Sequence, residues 1–119
     1  MAAKDELGRA GEDVAARHLR DAGYRILERN WRCRFGEIDL IAGRGELTVF
    51  VEVKTRSTVD YGHPFEAITF RKLARLRRLV AEWCAQHTER SARAIRVDAI
   101  AVIGGHGERP RVEHLEGIA

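Results

Sequence analysis

Apolar and small residues recur at helical spacing from Lys4 to Ala22: Leu7, Gly11, Val14, Ala15, Leu19 and Ala22. That spacing predicts an amphipathic helix, and Gly23 supplies its C-terminal stop. Two-residue alternation then takes over. YRILERNWRC (24–33) predicts a first strand, GEIDLIA (36–42) a second and LTVFVEVKT (47–55) a third. GRGE (43–46) is the tight turn between the last two, with Gly45 free to take positive φ. YGHPFEA (61–67) is a loop, because Pro64 disfavours helix at His63. Helical spacing returns from Ile68 to about His87, with Leu73, Leu76, Val80 and Trp83 as the apolar stripe. IRVDAIAVI (95–103) is a fourth strand, GGHGER a turn, and PRVEHLE (110–116) a short fifth at an edge, since it begins with proline. The order αβββαββ predicts an α+β or α/β domain around a central mixed sheet. A helix between the third and fourth strands calls for a right-handed crossover, which makes those strands parallel.

With 119 residues the expectation is one domain, residues 1–119, able to bury a core without disulfide or metal. Cys33 and Cys84 have no CxxC partner, so no zinc site or disulfide framework is indicated, and they read as ordinary thiols. Charge begins at Lys4 and no apolar run approaches ~18 residues, which predicts a cytoplasmic protein with neither signal peptide nor membrane span. A net charge of +3 and a pI near 9.2 fit nucleic-acid binding without requiring it. Of 21 basic residues only Lys4, Lys54 and Lys72 are lysines, which makes a lysine in mid-strand conspicuous.

The two most apolar strands carry charge at their centres. In a strand, i and i+2 share a face, so Glu37 and Asp39 project together, as do Glu52 and Lys54. With Arg44–Gly45 as a two-residue turn, Gly43 faces Glu46, Asp39 faces Phe50 and Glu52 faces Glu37. Any even loop keeps Asp39 and Glu52 on one face, here as diagonal neighbours ~7–8 Å apart. Like charges across a ladder destabilise it, and buried acids take up protons. A hard divalent cation, Mg²⁺ or Mn²⁺, resolves the conflict through oxygen ligands and can polarise a phosphoryl group. Lys54 beside it can position or deprotonate a water; lysine suits this where arginine would not, because its pKa shifts with surroundings while a guanidinium stays protonated. The alternative is a solvated ladder in which Glu37 and Asp39 pair with Lys54, Arg32 or Arg34.

Glu12 lies one turn from Gly8, Ala15 and Ala16, on the small-residue flank of the first helix. Each of Gly8 and Gly11 costs roughly 1 kcal/mol relative to alanine, a cost that makes sense where the sheet or a ligand comes close. From there Glu12 could reach the acidic cluster, or it faces solvent beside Arg9 and Arg17. RKLARLRR (71–78) sets Arg71, Arg75 and Arg78 on one helical face with Lys72 beside them, either a phosphate track or a solvated face. Arg56, at the end of VFVEVKTR, is a further nucleic-acid contact candidate. The histidines at 18, 63, 87, 106 and 114 lack metal-ligand spacing and read as structural or exposed, His63 being the one whose loop could edge the site.

GRAGEDVAARHL, GEIDLIA and VFVEVKTR together resemble the YraN family of bacterial proteins, within the PD-(D/E)XK nuclease superfamily and similar to archaeal Holliday junction resolvases. The resemblance runs from Gly8 to about His114. It implies a restriction-endonuclease-like αβββαβ core and Mg²⁺-dependent phosphodiester hydrolysis, with Asp39 and Glu52 as metal ligands, Lys54 as catalytic lysine and Glu12 as the helix-borne acid. Glu37, on the strand of Asp39, is a candidate accessory acid from the hairpin register alone. Lys72 matches a basic position of that family, and Asp98 an acid to which no role is assigned. Ile38 stands where the superfamily name has proline, a departure that removes no ligand. The expected function is a metal-dependent endonuclease acting on DNA, branched or structured, with a homodimer where two strands are cut. A nucleic-acid-binding accessory without turnover and a protein-interaction domain are the competing readings.

Overall fold

A computed structural model of the protein describes residues 3–91, 94–105 and 107–119. Helix α1 (Ala3–Asp21) is followed by β1 (Arg25–Cys33), β2 (Gly36–Arg44) and β3 (Leu47–Arg56). A 3-10 turn (Pro64–Ala67) leads to α2 (Phe70–Gln86) and the single-turn α3 (Thr88–Ser91), then β4 (Ile95–Ile103) and β5 (Arg111–Leu115). The strands form one mixed sheet in the order β1-β2-β3-β4-β5, with only β3 and β4 parallel. This is the expected α+β fold, consistent with a restriction-endonuclease-like core, and β5 is an edge as Pro110 predicted. His106 falls outside the described residues.

Each face of the sheet carries one helix because each helix has one apolar stripe. Ala15, Ala16 and Leu19 of α1 pack on Leu40, Ala42, Val49, Val51, Ile100 and Val102. Leu76, Leu79, Val80 and Trp83 of α2 pack on Ile38, Ile41, Phe50 and Val97. Each Leu, Ile, Val or Phe side chain among them contributes roughly 1.5–3 kcal/mol when taken from water. Leu79 joins the predicted stripe, and Leu73 is only partly buried. Helix α2 starts two residues later than its pattern suggested, because Thr69 caps it by accepting a hydrogen bond from the Lys72 N–H. Gly11 brings α1 close to the sheet: a Cβ there would lie 2.1 Å from Thr55 Oγ1.

The β2–β3 turn corrects the expected register. Arg44 pairs with Leu47, so the two loop residues are Gly45 and Glu46, with Gly45 in the first position at φ 59°. A glycine there suits the type II′ geometry that matches strand twist. Ile41, not Asp39, therefore faces Phe50, and Glu37 faces Arg32 on β1 rather than Glu52. The shift is an even number of residues, so within the paired stretch the faces survive and only the partners change.

Candidate active site

The β2–β3 ladder ends at Leu40–Val51, although β2 continues alongside β1 and β3 alongside β4. Asp39 and Glu52 are the next residues of the two strands, at the fork where pairing has stopped. Alternation also breaks here: Ile38 and Ile41 both enter the α2-side cluster, and Asn30 on the neighbouring strand takes a left-handed φ of 53°. The Asp39 carboxylate substitutes for the lost ladder, its Oδ2 accepting the Val53 N–H at 2.8 Å.

Burial, then the charge of Glu52, pushes the Asp39 carboxyl up to about 7, with Glu12 and Glu37 adding to it and the Val53 N–H opposing. Glu52 is buried, and its Oε1 lies 3.3 Å from Lys54 Nζ and 3.3 Å from Lys72 Nζ. Burial, then the adjoining Lys72, lowers the Lys54 ammonium below the usual lysine range, against the pull of Glu52. Lys72 was expected on the outward track beside Arg71; it instead turns inward, so two cations from two elements share one carboxylate oxygen.

Glu12 reaches this region from α1, and the solvent-facing alternative fails. Its Oε1 is buried without a hydrogen-bond partner, and the nearest guanidinium, Arg29, stands 3.9 Å away. Burial raises its carboxyl, while Asn30 and Arg29 act in the opposite sense. Glu12, Asp39 and Lys54, with Gly8 and Arg56, line a cavity of about 290 Å³ between α1 and the fork. Gly11 has the sheet against it, whereas a Cβ at Gly8 would meet nothing within 4 Å. Glu37 is near enough to add to the rise of Asp39, but its own carboxylate is held by Arg32 Nε at 2.5 Å.

Among the described residues, no three His, Cys, Asp or Glu side chains stand close enough to hold a metal ion between them. The donors nevertheless suit a hard cation, which commonly takes only one or two carboxylates and completes its shell with water and phosphate. The neighbouring Asp39 and Glu52, and the stranded Glu12 oxygen, are the conflicts such an ion would relieve.

Arg56, Arg71, Arg75 and Arg78 are exposed, and among the described residues no carboxylate pairs with them. Arg78 lies 4.7 Å and Arg34 4.8 Å from the centre of the Phe35 ring, which extends the basic face onto the β1–β2 turn. Sequence reasoning missed that extension, since Arg34 and Arg78 are far apart in the chain.

The unassigned Asp98 is fully buried and saturated. Arg96 grips both carboxylate oxygens at 2.8 Å, His114 Nε2 lies 2.7 Å from Oδ2, and the Gly117 N–H donates to Oδ1 at 3.0 Å. His18 Nε2 extends the chain to His114 Nδ1 at 3.1 Å. His63 is structural too: its Nδ1 accepts the Phe65 N–H, leaving Nε2 to donate to Glu113 at 2.9 Å. His87 stacks on Trp83, and both cysteines are free thiols. Among the described residues, no helix is long and apolar enough to cross a membrane.

A family model described as "Uncharacterised protein family UPF0102" matches residues 11–102. The chain is 58% identical over 118 residues to a UPF0102 protein of Leifsonia xyli subsp. xyli, covering 99% of each. A UPF0102 protein of Beutenbergia cavernae is 54% identical, again over 99% of both chains. One from Arthrobacter sp. is 52% identical over the same shares.

Proposed function

This chain belongs to the uncharacterised protein family UPF0102, the YraN family, and from that premise we propose that it is a divalent-metal-dependent endonuclease of PD-(D/E)XK type. Its substrate is nucleic acid, DNA in the first instance, including branched DNA of the kind resolvases cut. One observation carries the reading: just past the last β2–β3 pair, Asp39 lies close enough to Glu52 for that charge to help push its carboxyl to about 7, and Lys54 sits on Glu52.

Asp39 and Glu52 would hold Mg²⁺ or Mn²⁺, with Glu12 supplying its unpartnered oxygen directly or through water; when bound, the ion supplies Lewis-acid stabilisation of the charge on the phosphoryl oxygens. Lys54, with its lowered proton affinity, orients the attacking water and takes its proton as the new P–O bond forms. One P–O ester bond breaks, and its departing oxygen takes a proton from solvent and ends as a hydroxyl. Lys72 shares Glu52 with Lys54 and so limits how strongly that carboxylate holds the catalytic ammonium. Arg56, Arg71, Arg75 and Arg78 carry the strand by its phosphates.

Purified protein should cut at least one of a four-way junction, a flap, a single strand or an RNA with Mg²⁺ or Mn²⁺. Asp39→Asn, Glu52→Gln and Lys54→Ala should each lower the rate at least about 10²–10³-fold, the range for losing a preorganised charged group. Binding without cleavage of any of these would leave an accessory module in place of the enzyme.

A further inference from the structure

Two aromatic rings have no packing role. Tyr61 and Phe70 are 102% and 90% exposed, while the other Phe, Tyr and Trp side chains are buried or partly buried. A single exposed ring is unremarkable on a protein surface. These two, however, belong to one connection, the segment from β3 to α2, and both of its ends are anchored at the acid site. It leaves β3 two residues past Lys54 and enters α2 two residues before Lys72, and both lysines reach the same Glu52 oxygen.

Neither ring is exposed through slack chain. The Gly62 N–H donates to the Val59 carbonyl at 3.0 Å, closing a turn with Asp60 and Tyr61 at its tip. The Asp60 N–H donates to Thr58 Oγ1, and Gly62 takes a φ of 108° that a side chain would resist. Phe70 is the first residue of α2, fixed by the Thr69 cap, with exposed Arg71 next to it. The acids of this connection, Asp60 and Glu66, would repel phosphate at the turn. Phosphate contact therefore falls to Arg56 and to Arg71, Arg75 and Arg78 along the helix.

We infer that Tyr61 and Phe70 are stacking platforms for unpaired bases, so that the strand entering the site is single-stranded, whether a free strand or one splayed at a branch. The inference rests on reading the site as acting on nucleic acid, and it narrows the substrate. A ring beside an unpaired guanidinium, as Phe70 is beside Arg71, offers a base its π-face and its phosphate a cation together. An intact duplex hides its base faces and could use only the arginines.

The test is binding in EDTA, where no cleavage occurs, read by fluorescence anisotropy. The probes are a short oligothymidylate, an abasic strand with the same number of phosphates, and a blunt duplex. Wild type should hold the oligothymidylate at least about tenfold more tightly than the abasic strand, the lower range for base stacking on aromatics. Tyr61→Ala with Phe70→Ala should erase that preference and leave duplex and abasic affinities unchanged, while Tyr61→Phe keeps it. Arg71→Ala with Arg75→Ala should weaken all three probes together. An oligouridylate in parallel identifies whether the strand is DNA or RNA by which binds tighter.

Equal affinity for the abasic strand, no binding to either strand, or a double variant that retains the preference would overturn the inference. So would sedimentation showing that the two rings hold a homodimer while nucleic-acid binding is indifferent to them. If base-dependent binding stands and no substrate is cut, only the nuclease proposal fails. If cutting stands without base dependence, only this one does.

Discussion

Two strand aspartates, half-buried Asp39 on β2 and fully buried Asp98 on β4, have opposite surroundings. Asp98 is met by Arg96, His114 and the Gly117 N–H; burial alone would raise its carboxyl, yet those donors bring it down to about 2. Asp39 has one donor, the Val53 N–H, and three acidic neighbours, and it rises to about 7. An acid whose lone pairs are all engaged by the protein holds the fold together. One left with unmet charge at a cavity mouth is open to something the protein does not supply.

The largest test of that contrast is stability. Asp98→Ala strands Arg96 and should cost about 3–5 kcal/mol, the range for breaking a buried charge pair. Asp39→Asn should cost little or stabilise at pH 8. Chemical denaturation of both variants decides it, and equal losses would erase the distinction.

Next comes pH, in divalent-free buffer. Asp39 is raised from 3.8 to about 7, so the folded state binds the extra proton between those values. Stability should fall as pH rises through that window, by up to about 4 kcal/mol, and Asp39→Asn should abolish the fall. Asp98 is lowered from 3.8 to about 2, so its contribution is full above 3.8 and is lost as pH drops toward 2, by about 2 kcal/mol. Denaturation midpoints from pH 2 to 8 should show slopes of opposite sign at the two ends.

A smaller effect follows from divalent ions. Mn²⁺ at about a hundredfold over its Kd should stabilise the protein by about 2.7 kcal/mol, visible as a rise in Tm. Asp39→Asn should remove that rise, and Asp98→Asn should keep it on a lower baseline. The smallest shift belongs to Glu12→Gln. Replacing a carboxylate that burial already disfavours should change stability by no more than about 0.5 kcal/mol. The same change should weaken Mn²⁺ affinity about tenfold by calorimetry.

Periodicity made the elements legible, because each helix buries one stripe and each central strand alternates. That the hairpin brings Asp39 near Glu52 was legible too, but the break in alternation between Ile38 and Leu40, with Asp39 inside it, was not. Nor were their partners: a glycine assigned to the second turn position, when it occupies the first, moves every pair. The inward turn of Lys72 was also hidden, since a basic run looks alike whichever side each lysine takes. Asp98 could not be read at all. Arg96 lies two residues away on the same strand, but His114 and Gly117 arrive from β5 and the segment beyond it, and only the order of the sheet brings them together.

Beyond Leu40 and Val51 the two site-bearing strands are no longer stitched to each other, each being tied to its own outer neighbour. The separation of the two acids is therefore governed by how the two halves of the sheet coil, with a single side-chain contact to the Val53 amide spanning the split. A jaw built this way can widen or close by tenths of an ångström without tearing a backbone bond. It could thus adjust to ions of different radius where a fully laced hairpin would hold one gap.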